Sequence, residues 1–396
     1  MLILCLIVFV GLTGVGIIIP LFPFFGENVG ASPSTITLLM SIFAAGQFIA
    51  APFWGKLSDR VGRKPIFLIT LAGSAFSYLL LGYAESITEL LFSRLVAGLM
   101  AGNIPVAFAA ASDLTQSSDR SKAMGKVGAA FSLGFIFGPT IGGFVAGPNP
   151  ESTNFFLIAF LAGSMSLLSF FLTLFFFKET MEVKKIDDNE QKKDNGFIKE
   201  VWKYLGLPII GLLILINFLF IASGAILDST FALWANKQHG FGPQQIAYLF
   251  TYMGIIMALL QGFAIGPLSK RFGDHNIVIF SPISYVIGLI IFILSNNLFM
   301  IVLGSTFLTA GISLFIPASS SMISIFAPDK DQGAVLGIFQ AAGNLGRVLT
   351  PTFSGLVFIS YGPTAPFFIS IIILIPTILV TLYVGSKINR SDIRNN

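Results

Sequence analysis

Apolar runs of about 20 residues alternate with short polar segments along the whole chain. Each run is long enough to cross a ~30 Å hydrocarbon core as a helix. Twelve spans are predicted, starting near Leu2, Ser34, Pro65, Thr88, Ala123, Asn154, Leu205, Gln244, Asn276, Leu298, Gln332 and Pro363. The runs are too long and too evenly apolar for barrel strands, which leaves helices. The expected fold class is an all-α membrane protein. The first run lacks a basic n-region and a small-residue cleavage site, so it reads as a retained helix and not as a signal peptide.

The longest polar stretch runs from Lys178 to Lys203. It reads as a flexible linker that can carry a helix on the membrane surface. It divides the chain into a six-span half (residues 1–177), the linker (178–203) and a second six-span half (204–396). The halves repeat. The loop Gly55-Lys56-Leu57-Ser58-Asp59-Arg60-Val61-Gly62-Arg63-Lys64 has a faded copy in Gly266-Pro267-Leu268-Ser269-Lys270-Arg271-Phe272-Gly273-Asp274-His275. Pro105 and Pro317, Pro139 and Pro351, and Gly143 and Gly355 also pair at a nearly constant offset. An even number of spans per half makes the repeats parallel and predicts a substrate site between the halves near the membrane midplane.

Charge then fixes the topology. Twenty of the 23 Lys and Arg fall in the even-numbered loops, the linker and the C-terminal tail. Such bias places both termini and the linker in the cytoplasm. The basic balance therefore reports topology, and no nucleic-acid partner is expected. Only 11% of residues are charged, against roughly 25% in soluble chains. The single cysteine, Cys5, excludes an internal disulfide. There is no Gly-x-x-x-x-Gly-Lys-Ser/Thr loop for ATP, and the two histidines lie far apart in loops. No metal or cofactor is expected, and the lack of a nucleophile–base constellation makes a membrane enzyme the least favoured class.

The motifs carry the rest. Gly55 and Gly62 read as turn residues around the first loop. Within that loop Asp59 can accept charge-assisted hydrogen bonds, and Arg60, Arg63 and Lys64 can donate them. In the fifth span Gly134, Gly138 and Gly142 recur every fourth residue and form one small-residue face, with Pro139 and Gly143 beside it; such faces permit close helix approach. Ionisable residues inside spans mark cavities or partners, because an Arg at the bilayer centre costs about 2.5–3.5 kcal/mol on insertion scales. Arg94 lies in span four and Arg347 in span eleven. Gln340, Asn344 and Arg347 form one helical stripe. Asp228 is the only acid well inside a span. Arg347 reads either as a substrate contact or as a pair for Asp228. Arg94 reads either as a substrate contact or as a bond to backbone carbonyls. Phe22, Phe24, Phe25, Phe131 and Phe135 read as cavity lining or as packing.

With these residues in view, the chain resembles the major facilitator superfamily, in its twelve-helix drug:proton antiporter branch, with tetracycline-efflux-like members nearest in pattern. The resemblance covers the whole chain. It rests on Gly55, Asp59, Arg60, Gly62, Arg63 and Lys64, on Ser93-Arg94-Leu95-Val96-Ala97-Gly98, and on Gly134 through Gly143. It implies twelve helices in two parallel six-helix repeats and a loop that latches the halves on the cytoplasmic side, with Asp59 facing the start of span eleven. It also implies proton-coupled export of a small amphipathic molecule or drug across a bacterial inner membrane by a monomer, with the proton gradient in place of a cofactor. Tetracycline exporters carry an Asp where Gly11 stands here, and this chain lacks their His and Asp in spans eight and nine, so tetracycline itself is not implied. Asp228 is the candidate proton carrier. Arg94, Gln340, Asn344 and Arg347 are the candidate substrate contacts. Two intramembrane arginines with one acid give the alternative of a carrier for an anionic metabolite or carboxylate siderophore.

Overall fold

A computed structural model describes the backbone except at residues 116–118, 182–196, 329–330 and 395–396, and side chains except there and at 120–122, 197–200 and 386–394. Much of the predicted linker therefore lies outside the described residues. Among the described residues all regular structure is helical.

The first span is α1 (Leu2–Ile18) and α2 (Phe22–Asn28), joined at a 42° bend. Pro20 and Pro23 make the bend, since neither donates the backbone hydrogen bond that would extend α1. Next come α3 (Pro33–Val61) and α4 (Arg63–Gly82). The fourth span is broken into α5 (Ile87–Met100) and α6 (Asn103–Asp113). At the break the Trp54 indole of α3 fills the place a Cβ on Gly102 would take, and its Nε1 donates to the Leu99 carbonyl at 2.6 Å. The indole thus serves a backbone group that lipid could not. Then follow α7 (Arg120–Ala146) and α8 (Phe155–Phe176).

A short helix, α9 (Phe197–Leu205), precedes the second set of spans. That set begins with α10 (Pro208–His239). The eighth span is α11 (Pro243–Leu259), a π-helical turn (Leu260–Ala264) and α12 (Ile265–Phe272). The rest are α13 (Asp274–Leu294), α14 (Leu298–Phe326), α15 (Gln332–Tyr361) and α16 (Ala365–Arg394). Among the described residues ten helices are long and apolar enough to cross a membrane, or eleven with α1 and α2 as one bent span. The remaining predicted span falls on α15, which is not one of these helices. It has 30 residues, but its stripe of Gln340, Asn344 and Arg347 dilutes its apolar character. The protein is a multi-pass membrane protein, and side chains such as Phe144, Phe175 and Phe299 stand more than two-thirds exposed, as lipid-facing residues do.

Packing forms two compact units that cut across the sequence halves. The first contains Met1–Lys184, Ser229–Ala258 and Pro351–Pro363. In it α1 packs on α7 and α8, α4 on α8, and α3 on α5. Parts of the second repeat belong to it as well. Thr140 of α7 hydrogen-bonds Thr251 of α11 (3.0 Å), and Ser41 of α3 accepts from the backbone N–H of Thr352 on α15 (3.1 Å). The second unit contains Lys185–Asp228, Leu259–Thr350 and Thr364–Asn396. In it α13 packs on α14 and α16, and α9 is anchored by the buried Tyr204.

Candidate functional site

The loop between α3 and α4 is built around one buried arginine. Arg63 opens α4, and Gly62 before it has φ +101°, a conformation that suits glycine. Arg63 Nη1 donates to Asp59 at 2.5 Å and to Ser58 at 2.6 Å. Its Nε donates to Asp113, the last residue of α6, at 2.9 Å. Glu179, just beyond α8, accepts from the backbone N–H groups of Arg63 (2.8 Å) and Lys64 (3.0 Å). A carboxylate there satisfies two of the donors that every helix start leaves open, and complements the helix dipole. Partial burial raises the Glu179 pKa, but the N–H donors of Arg63, Lys64, Met181 and Thr180 outweigh it and hold the group below the ordinary carboxylate range. Arg60 lies exposed at the end of α3.

Gly55 is not a turn residue, because α3 continues through it to Val61. Nothing lies within 4 Å of the place its Cβ would occupy. Gly62 alone makes the turn. In the second copy Gly273, at φ +78°, stands where Gly62 stands and likewise opens its helix, α13.

Asp59→Asn is expected to remove nearly all transport at unchanged membrane abundance, because it takes one charge from the Arg63 cluster. Flux per molecule in membrane vesicles checks this, and wild-type flux in the variant would reduce the loop to a topology signal.

The glycine face of α7 sits on the backbone of α1. A Cβ on Gly134 would come within 2.9 Å of Leu12 Cβ, one on Gly138 within 2.6 Å of the Thr13 carbonyl, and one on Gly142 within 2.9 Å of the Ile17 carbonyl. Pro139 lies inside α7 and contacts Gly16. Gly143 turns instead to Ala247 of α11.

Arg94 of α5 is 6% exposed. Its guanidinium carbon lies 4.8 Å from the centre of the Phe22 ring and 5.9 Å from that of Phe43. Nε and Nη2 have no hydrogen-bond partner among the described residues. Aromatic faces thus hold Arg94, where backbone carbonyls were the structural alternative. Phe22, Phe24 and Phe25 are buried, and Phe131 stacks on Phe135 with centroids 5.0 Å apart. Phe131 also lines an apolar pocket in this unit with Leu12, Phe67, Leu71, Asn103 and Phe108.

The second unit brings Asp228 and Arg347 together. They interact electrostatically, both side chains are exposed, and no ion pair within 4 Å joins them among the described residues. Both side chains keep accessible surface. Gln340 and Asn344 are exposed on the same stripe of α15 as Arg347. Tyr285 of α13 interacts with both Asp228 and Arg347. Tyr285, Asp113 and Glu179 escape a reading of the sequence, since each looks like an ordinary helix or loop residue until distant helices meet. Among the described residues no group of three or more His, Cys, Asp or Glu could hold a metal.

The family model described as Major Facilitator Superfamily matches the chain twice, over residues 4–227 and 213–395. Multidrug resistance protein 2 of Bacillus subtilis (strain 168) is 30% identical over 353 residues, covering 89% of this chain and 86% of that protein. The class B tetracycline resistance protein of Escherichia coli is 29% identical over 353 residues, covering 87% and 85%. The crystal structure of the human organic anion transporter MFSD10 (TETRAN) shares the fold, with a TM-score of 0.70 at 21% identity, covering 96% of this chain and 98% of that one. The twofold match, the all-helical membrane fold and the likeness to a solved transporter agree, and the chain belongs to the major facilitator superfamily of transporters.

Proposed function

We propose that this protein exports a small amphipathic molecule from the bacterial cytoplasm in exchange for protons, by alternating access. The observation that carries the reading is that Asp228 and Arg347, both exposed, attract each other without closing into a contact pair. A carboxylate so placed can take up and release a proton, and an open guanidinium stripe can meet cargo. The resistance relatives support export. The hydrogen bonds of Ser41 with Thr352 and Thr140 with Thr251 support a gate, since they join the two repeats at the end away from the basic loops. In the proposed topology both termini and the linker are cytoplasmic, and residues 1–177 and 204–396 are the moving halves. The loop of Asp59 and Arg63, whose hydrogen bonds in this structure run to Ser58, Asp113 and Glu179 on the first half's side, is assigned as the cytoplasmic latch. One proton crossing 100 mV and one pH unit releases roughly 3.7 kcal/mol, enough for a ~500-fold gradient of neutral cargo.

A second reading is carriage of an anionic metabolite. It is favoured by the buried, unpartnered nitrogens of Arg94 and by the open Arg347. Purified protein in liposomes tests both. An acidic lumen should drive accumulation of ethidium, and Asp228→Asn should remove that dependence on pH. Accumulation of citrate with no ethidium flux would replace the first reading with the second. Unchanged pH dependence in Asp228→Asn would exclude this residue as the proton carrier.

A further inference from the structure

Three hydroxyls inside α14 have no hydrogen-bond partner among the described residues. Ser305, Thr309 and Ser313 are at most 1% exposed, and none of their oxygens has a hydrogen bond among the described residues. Buried helical hydroxyls elsewhere in the protein donate to a carbonyl one turn back, as Ser281 does to Ile277 (2.7 Å) and Thr377 to Ile373 (2.9 Å), or to a neighbouring helix, as Ser169 does to Ile7 (2.8 Å). These three make neither bond. Spaced by four, they line one flank of α14 over about 12 Å of helix rise. A buried polar group without a protein partner is ordinarily served by water.

The surroundings limit where that water can sit. On the flank toward α13 the backbones meet, and a Cβ on Gly311 would lie 2.8 Å from the Ser281 carbonyl. Toward α10 the contact is looser, at ordinary van der Waals distance. The Cβ position of Gly224 lies 3.8 Å from the Tyr285 hydroxyl and 4.0 Å from Ile312. On the remaining side the π-helical turn presents Gln261, whose amide donates to the Ser313 carbonyl at 3.5 Å. Such turns recur at functional sites. Gly224 is one turn before Asp228 on α10, and Tyr285 interacts with Asp228. Among the described residues the titratable groups that face Asp228 are Arg347 from α15 and Tyr285 from α13.

We infer that Ser305, Thr309 and Ser313 line a file of buried water that passes by Tyr285 and carries protons to Asp228. The file starts toward the Leu298 end of α14, which the proposed topology places outside the cell, where the driving protons are. Each hydroxyl or water accepts one proton and passes on another, so the file is unchanged after each transfer. The inference rests on the reading of Asp228 as proton carrier.

The test uses the full-length protein in lipid nanodiscs and needs no cargo. X-ray pulses turn bound water into hydroxyl radicals that mark the side chains touching it. Tyr285 should be marked although it is 3% exposed, and the mark should fall at least fivefold in Ser305→Ala/Thr309→Val/Ser313→Ala. Thr309→Val alone, which keeps the side-chain shape, serves if the triple variant does not fold. Infrared spectra after a pH jump then follow the Asp228 carboxyl band, assigned by its loss in Asp228→Asn. That band should respond at least tenfold more slowly in the hydroxyl variant. An unmarked Tyr285, an unchanged mark in the variant, or a marked file with an unchanged response each overturns the inference. A spectrum that Asp228→Asn leaves unaltered fails the proton-carrier reading instead and takes the route's endpoint with it, while the radical mark still decides whether the file exists.

Discussion

Gly138→Leu is expected to abolish transport and to lower the amount of folded protein in the membrane. The position has no slack. Its Cβ would meet the Thr13 carbonyl at 2.6 Å and the Gly16 backbone at 2.7 Å, and neither is a flexible side chain that can swing aside. Forcing extra carbons into a packed contact costs typically 1–3 kcal/mol even where side chains can adjust. Here α1 and α7 would have to separate. Gly142→Leu should behave alike, because its Cβ would meet the Ile17 carbonyl. Gly128→Leu on the same helix is the control, since nothing lies within 4 Å of its Cβ position. Thermal unfolding and vesicle flux, normalised to protein abundance, check the series. Normal transport by Gly138→Leu would mean that the α1–α7 seam is not needed for the cycle.

Arg347→Ala should weaken cargo binding roughly tenfold or more while barely moving thermal stability. A hydrogen bond to a charged group contributes about 1.5–3 kcal/mol. The stability half of the expectation comes from geometry. Arg347 is exposed and makes no close ion pair with Asp228 among the described residues, so its removal strands no tightly bound partner. A structural brace would behave differently. Either single neutralisation would then destabilise the protein, and Arg347→Ala/Asp228→Asn would recover much of the loss. Binding titrations and melting curves of the two single variants and the double variant separate these outcomes.

The spans were legible in the sequence because a membrane helix declares itself by length and apolarity. The polar stripe of α15 was legible by its spacing alone, although it keeps that helix from passing an apolarity test. The break at Ala101–Gly102 was not legible. Glycine is common in these spans, and only Trp54, 48 positions earlier, shows why Gly102 stands there. Gly55 misled for a related reason. A glycine ahead of a charged run looks like a turn, yet α3 continues six residues further to Val61. Asp59 and Arg63 could be named from their motif, but Asp113 and Glu179 come from α6 and from the chain beyond α8, which the sequence gives no means of bringing together. The apolar clamp on Arg94 was hidden in the same way, because 42 phenylalanines offer no hint of which two will face a guanidinium.

The break in the fourth span has a mechanical consequence. A continuous helix transmits a push at one end to the other, because bending it strains a ladder of hydrogen bonds. At Ala101–Gly102 the ladder is already cut, and an indole has taken over the Leu99 carbonyl. The span is therefore two levers on one pivot. The α6 lever ends in Asp113 and is tied to the Arg63 cluster, while the α5 lever holds Arg94 against Phe22 and Phe43. The Arg63 end of the span is thus not coupled to the Arg94 seat through an unbroken ladder.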